Sequence, residues 1–373
     1  MKKRTKWLAL LLAASMAFAS LTGCGGGEEP TNTDTGSANT ESSEDKKEGS
    51  GEQIVNLSSN SVVVGLNPIL NTTAPDNQAH NRICDTLVRV NAAPGNTTET
   101  VPGAAESWDV SEDGLTYTFH MRENAKWSDG QPLTAKDFEY TLKLMANPES
   151  ASTSAWLFDG VIENFGEALY NNGKTPDEIA VKAIDDKTLE IKLVHPASYF
   201  LELLSSLYPV RQDKYEEWGE EYGSSADKII CSGPFMVESW SQNTEMVLVK
   251  NPNYWNAENV KLDKINTRII QENATAVQAF ISGEIDITGT SDPNWQKMIE
   301  ESGIATAEVV PDSAPEFLMC NLENEYLSNT KIRQALSIAF DREQYVNDLL
   351  NGNGTPIYSA MPDTIGNTVL PMP

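Results

Sequence analysis

From residue 54 onward the chain switches between two hydrophobic periods, and its predicted elements follow from where one gives way to the other. Leu115, Tyr117, Phe119 and Met121 alternate with polar residues, the period of a half-buried strand, and Asp113-Gly114 just before them supplies a hairpin turn. Ser128-Asp129-Gly130 marks a second tight turn. Phe138, Leu142 and Met145 then recur at helical spacing. Thr134 with Asp137 three residues on reads as a start close to a capping box, and Asn147-Pro148 as the stop. The run "IAVKAIDDKTLEIKLVHP" predicts a hairpin turning at Asp185 to Thr188, with Leu189, Ile191 and Leu193 facing inward. Further strands are predicted at 54–59, at 62–65 and in "EIDIT" at 284–288. A helix should start near Pro75, with Ala79, Ile83 and Leu87 as its apolar stripe and Cys84 and Val88 widening it. Ala276, Val277, Phe280 and Ile281 mark another, closed by Gly283. Ile332, Ala335, Leu336 and Ala339 mark a third, and a last one runs from Asp341 to the "NGNG" turn. No internal repeat interrupts this mixed α and β pattern.

The first 53 residues follow neither period. Lys2, Lys3, Arg4 and Lys6 precede a 15-residue, mostly apolar run from Trp7 to Leu21. A bilayer-spanning helix needs about 20 apolar residues, so this reads as an export signal rather than a span. Leu21-Thr22-Gly23-Cys24 resembles a bacterial lipobox, in which cleavage precedes the cysteine and the thiol carries the lipid. The alternative is an ordinary signal that happens to end near a cysteine. Gly25 to Glu52 is Gly, Ser, Thr, Asn and charge, with too little apolar surface to offset the entropy of ordering it. Such a 28-residue tether reaches about 30 Å. The expectation is a signal over 1–23, then a lipidated Cys24 and tether over 24–53. That places the protein on the outer face of a cell membrane, and the long polar tether fits a Gram-positive surface.

Composition narrows the partners. The formal net charge is −27, and loss of the four signal cations takes it to about −31. That excess of anions argues against nucleic acid and anionic polymers. At 39% hydrophobic, the remaining 320 or so residues are enough for two domains or one multi-lobed body. After lipidation Cys84, Cys231 and Cys320 remain, an odd number with no Cys-x-x-Cys, expected to be small core residues. Gly173-Lys174-Thr175 lacks the earlier glycine of a phosphate loop, Ala168 standing there instead. His80, His120 and His195 are isolated, and neither His-Glu-x-x-His nor Gly-x-Ser-x-Gly occurs. No cofactor, metal or enzymatic role is indicated, although residues distant in sequence can meet in space.

The block "AAESWDVSEDGLTYTFHMRENAKWSDGQPLTAKDFEYTLKLMANP" resembles the signature region of the family 5 solute-binding proteins of ABC-type importers. The resemblance continues in order through "LNPI", "IAVKAIDDKTLEIKL", "CSGPFMVESW", "NPNYW", "SGEIDIT" and "NTKIRQALSIAFDRE". It implies an α/β, periplasmic-binding-protein-like (type II) fold with mixed sheets and a ligand cleft between lobes. The first lobe would be discontinuous, 54–90 and 200–285; the second an insertion, 91–199; the third partial, 286–373. Family members continue well past this length, so the resemblance also implies a C-terminally truncated chain with apolar surface left exposed.

In that family a peptide lies extended between lobes that close on it, held mainly through its backbone. The resemblance carries over Thr72, Thr73 and Ala74 as a ligand-contacting loop. Ser232, Gly233 and Pro234 match a turn that either lines the cleft or only leads into a strand. Ser154 falls where an aromatic contact is common, with Trp156 two residues away as a substitute. Ser154 thus departs from the family's aromatic contact, and Trp156 itself reads more readily as core than as cleft. Asn321 is the polar contact of the third lobe. The implied protein is a lipid-anchored, non-enzymatic monomer that binds an oligopeptide or dipeptide and delivers it to an ABC permease and ATPase complex. The alternatives are the same fold for an oligosaccharide or nickel complex, a truncated non-binding remnant, and a surface hydrolase. Three histidines disfavour direct nickel ligation, while eight tryptophans suit sugar stacking.

Overall fold

A computed structural model describes residues 51–93, 97–290, 292–305, 316–352 and 354–358. The readings of an export signal, of Cys24 and of the tether up to Ser50 lie outside these residues.

Alternation at 115–121 produces the central strand of the sheet that carries most of the core. Strand β5 (Thr116–Met121) buries Tyr117, Phe119 and Met121 on one face. It pairs antiparallel with β4 (Ala105–Val110) across the Asp113-Gly114 turn, where Gly114 takes φ +71°. On its other edge lies β7 (Thr188–Lys192), which pairs with β6 (Val181–Ala183) as the expected hairpin. Leu189, Ile191 and Leu193 are all buried. Helix α2 (Ala135–Ala146) lies against β6 and β7 through its Phe138, Leu142 and Met145 stripe. It starts where predicted: the Asp137 carboxylate accepts from the Thr134 amide (2.7 Å) and hydroxyl (2.9 Å). Burying each large apolar side chain here contributes about 1.5–3 kcal/mol.

A second sheet joins the first strand of the described chain to three strands far along it, in the order β1 (Ile54–Ser59), β10 (Lys264–Ile269), β9 (Glu245–Lys250), β8 (Phe235–Ser241). Strands β1 and β10 are parallel and the other pairs antiparallel. Helix α1 (Ala74–Ile83) packs on β8 and buries Asp76, Ala79, His80 and Ile83. A two-stranded ribbon, β2 (Val88–Ala93) with β3 (Thr97–Pro102), joins the two sheets along the chain. Short helices α3 (Phe165–Leu169), α4 (Phe200–Leu204) and α5 (Gln212–Trp218) fill the periphery.

Two predicted strands do not form. At 62–65 the Val64 amide donates to the Asp76 carboxylate (2.7 Å), which removes it from any ladder. At 284–288 the Asp286 amide donates to the β1 carbonyl of Asn56 (2.8 Å). The Asp286 carboxylate then takes the Asn56 amide (2.6 Å), so a side chain stands where a second backbone bond belongs. Leu87 and Val88 are buried, but beyond the end of α1 rather than on its stripe.

Helix α6 (Asn273–Ile281) closes at Gly283 (φ +77°) as expected. Helices α7 (Pro293–Ser302) and α8 (Thr330–Ala339) bury no residue, and the chain after α8 continues as the turn Arg342–Gln344 and the π-turn Tyr345–Leu349. Phe317, Leu318, Met319 and Ile338 are 71–90% exposed, so this region lacks a core of its own among the described residues. Cys84 and Cys231 are buried as small core residues; Cys320, expected there too, is only half-buried.

Candidate functional site

The loop that precedes α1 is held by one carboxylate. Thr73 is the helix N-cap, and Asp76, three residues on and fully buried, accepts from its amide (3.0 Å) and hydroxyl. The same carboxylate accepts from the Val64 amide and, at 3.4 Å, from the Gly65 amide. Four donors on one buried carboxylate satisfy its charge without a cation. Asn77 ties the loop from the other side, donating from Nδ2 to the Thr72 carbonyl (3.1 Å). Thr72, Thr73 and Ala74 are thereby presented at the surface, Thr73 and Ala74 exposed and Thr72 half-buried.

The second part of the candidate rim comes from the segment after α2. The Thr72 and Thr153 hydroxyls are 3.0 Å apart, and the Thr153 amide donates to the Ile69 carbonyl (3.0 Å). This joint ties the Thr72–Ala74 loop to the start of the segment that carries Ser154 and Trp156. Ala155 and Phe158 are buried and anchor the short turn Ala155–Leu157, which leaves the indole of Trp156 outside at 67% exposure. The core alternative for Trp156 is therefore set aside. The rim is uncharged: three threonines, a serine, an alanine and an indole.

Ser232, Gly233 and Pro234 lie at the other end of α1, about 15 Å along a ten-residue helix. The amides of Ser232 and Gly233 both donate to the Ile83 carbonyl (3.0 and 2.8 Å), and the Ser232 hydroxyl accepts from the Asp85 amide (2.9 Å). Asn251 donates to the carbonyl of Gly233. A Cβ at Gly233 would sit 2.7 Å from the Cys84 nitrogen, so glycine is required by the close crossing of two backbones. Ser232 and Gly233 are buried, in the role of a turn leading into β8. Asn321 is exposed, its side chain accepting from the Glu323 amide (3.0 Å), with no bond to the other candidates.

Sequence reasoning missed a buried charge beside the Ser232 turn. The Asp85 carboxylate accepts from Arg89 Nε (2.8 Å) and from Trp255 Nε1 (2.7 Å). The Arg122 guanidinium stacks on the Trp255 ring at 3.7 Å while its Nε donates to the Gly103 carbonyl. Burial pushes the Asp85 carboxyl up, against the pull of Arg89, Trp255 and Arg122. The only available signal was the four-residue spacing of Asp85 and Arg89 in an apolar stretch. An open cleft of about 410 Å³ lies elsewhere, between the start of α2 and α5, lined by Gln131, Asp137, Arg211 and Glu216 among others, and contains none of the predicted site residues. Among the described residues no group of three or more His, Cys, Asp or Glu side chains is placed to hold a metal ion. No helix among them is long and apolar enough to cross a membrane.

Comparison with known proteins places this mixed α/β body. The sequence model of the bacterial extracellular solute-binding proteins, family 5 Middle, matches residues 99–370, and the chain belongs to that family. The fold is of the periplasmic-binding-protein type II class, and the family is one of binding proteins rather than enzymes. The dipeptide-binding protein DppE of Bacillus subtilis is 32% identical over 362 residues, 96% of this chain and 63% of that one. The oligopeptide-binding protein OppA of the same organism is 32% identical over 375 residues, 98% of this chain and 64% of that one. Among solved structures, the substrate-binding domain of an oligopeptide ABC transporter from Bacillus anthracis superposes with a TM-score of 0.69 at 28% identity. That match covers 83% of this chain and 60% of that one. Listeria monocytogenes OppA bound to peptide gives 0.70 at 26% identity, over 84% and 61%. The chain thus spans about three fifths of the length of these relatives.

Proposed function

We propose that the protein is a lipid-anchored extracellular binding protein that captures peptides and passes them to an ABC-type permease and ATPase complex. The observation that supports this reading is the Thr72–Thr153 joint, which ties an uncharged loop to the segment that carries the solvent-facing indole of Trp156. A peptide backbone needs hydrogen-bonding groups and apolar contact but no countercharge along its length, and such a rim offers both without selecting a side-chain charge. Membership in family 5 and likeness to dipeptide- and oligopeptide-binding relatives support the same ligand class. The lipid anchor rests on Leu21-Thr22-Gly23-Cys24, and the Gram-positive outer face on the tether after it. The protein acts as a monomer that meets its partners at the membrane surface.

Native mass spectrometry on protein purified from its own cells tests this directly. A ladder of short peptides released on denaturation is the expected result. A single non-peptide adduct would instead favour an oligosaccharide or other solute on the same fold, for which the exposed Trp156 is suited by stacking. Trp156→Ala should weaken affinity for a released peptide about tenfold, the scale of one lost aromatic anchor. Because the indole is solvent-facing, the same change should leave unfolding stability within about 0.5 kcal/mol. Unchanged affinity would remove Trp156 from the site.

A further inference from the structure

One buried group has no role in the binding reading. His80, two-thirds of the way along α1, is fully buried, and among the described residues neither ring nitrogen has a hydrogen-bond partner. Its ring packs against Tyr208 (centroids 5.0 Å apart), whose hydroxyl is turned to Asn81 Oδ1 instead. A buried imidazole whose one polar neighbour besides Asp76 is the Leu66 backbone is tolerated only while neutral. The titratable groups facing it are Asp76 and Cys84 on its own helix and Tyr208 on the stretch after α4. Burial pushes the Cys84 thiol and the Tyr208 phenol up, so both are neutral and neither is a counterion. Asp76 is the exception. It stands four residues earlier, on the same helix face, and its carboxylate is the one that holds Val64, Gly65 and Thr73.

We propose that His80 is a proton sensor wired to the ligand-facing loop: when its imidazole takes a proton, the Asp76 carboxylate is drawn to it and lets go of the loop. The proton comes from solvent and forms an N–H bond at the free ring nitrogen; no other bond changes. The new cation needs a partner in a dry site, and Asp76 is the anion within reach. Each bond Asp76 gives up frees a donor in or before the Thr72–Ala74 loop, so the rim loses its shape in acid. That this loop faces ligand rests on the function proposed above; that the loop loosens does not.

The geometry is matched by the titration. Burial lowers His80 from 6.5 to about 4, with the Leu66 backbone and, more weakly, Asp76 opposing. A group held below its ordinary pKa resists protonation in the closed state. Between pH 6.5 and 4 the open loop binds more protons than the closed one, so acid favours opening. Linkage over that interval raises the opening equilibrium about 20-fold between pH 7 and pH 5.

Amide hydrogen exchange on the full chain, corrected for the intrinsic effect of pH, measures this without any ligand. The Val64 and Thr73 amides should lose about 20-fold of their protection between pH 7 and 5, and His80→Leu should confine the change to about twofold. Equal losses in both proteins would overturn the proposal. If His80→Leu does not fold, NMR titration of the native chain decides. An imidazole titrating near 4 together with the Val64 and Thr73 amides supports the sensor. Titration near 6.5, or near 4 with those amides unmoved, sinks it. The tripeptide Ala-Ala-Ala, titrated calorimetrically at both pH values, then reads the consequence for binding. Absence of binding at either pH would count against the ligand reading, while the amide result would still stand for or against the sensor.

Discussion

Replacing Gly223 with alanine should destabilise the fold by about 4 kcal/mol. Two effects add at this position. Gly223 has φ +74°, where an L-residue costs about 1–2 kcal/mol. Its Cβ would also stand 2.2 Å from the Asn67 nitrogen and 2.4 Å from the Leu66 carbonyl carbon, both backbone atoms that cannot rotate away. Overpacking of this kind costs about 1–3 kcal/mol more. The crossing is held on both sides, since the Leu66 amide donates to the Gly223 carbonyl (2.8 Å) and the Gly223 amide to the Lys228 carbonyl (2.7 Å). Gly173 is the control: its φ is +85°, but an added Cβ would meet nothing within 4 Å. Urea unfolding of both variants should show Gly173→Ala losing about 1–2 kcal/mol and Gly223→Ala more than twice that. Equal losses would mean that backbone conformation alone accounts for the cost and the crossing can relax.

The second large effect is expected at Asp85. Asp85→Ala leaves the Arg89 guanidinium, itself three-quarters buried, without its anion, and leaves Trp255 Nε1 without its acceptor. Breaking a buried pair from one side costs about 3–5 kcal/mol, and the partial exposure of Arg89 sets the expectation near the lower figure. Asp85→Asn keeps an acceptor for the indole and should lose less. The double variant Asp85→Ala with Arg89→Met removes both charges and should recover at least 1 kcal/mol relative to the sum of the single changes. Additive losses in that thermodynamic cycle would show that the pair is not a coupled unit. The network ties residues 85–89, 122–124 and 251–255 together, so the near-ultraviolet signal of Trp255 is the natural local probe of each variant.

How far the sequence revealed this depends on the range of each interaction. Strand β5 and helix α2 were legible because their causes are local: a period of two from Leu115 to Met121, and a capping carboxylate three residues from Thr134. The run Val62–Gly65 misled because its β-branched residues favour a strand by composition, whereas the Val64 amide is taken by Asp76, twelve residues away. Asp286 misled in the same manner, its side chain filling the backbone position that a ladder requires. The β2–β3 ribbon was overlooked although Pro94-Gly95 stands between its strands, because β3 has no apolar alternation and Val88, at the head of β2, was read into the α1 stripe. For the rim, the resemblance and Pro75 pointed to Thr72–Ala74. Its junction with Thr153 spans 81 residues and has no local signature. The bond from Asp85 to Trp255 spans 170 residues and was equally invisible. His80 looked like an isolated histidine because the feature that distinguishes it, a dry site one turn from a loaded carboxylate, exists only after folding.

The parallel pairing of β1 with β10 also sets a timetable for the chain as it is made. Asn56 and its partner Asn266 are 210 residues apart, whereas the sheet built from β4 to β7 is complete by Lys192. At about 5–20 residues per second, a nascent β1 waits roughly 10–40 s for its neighbour. During that interval β1 has no native strand partner, while the β4–β7 sheet and α2 can already have collapsed around Phe119 and Phe138. A chain ordered in this way keeps its first strand unfolded and threadable until nearly all of the first sheet has been synthesised.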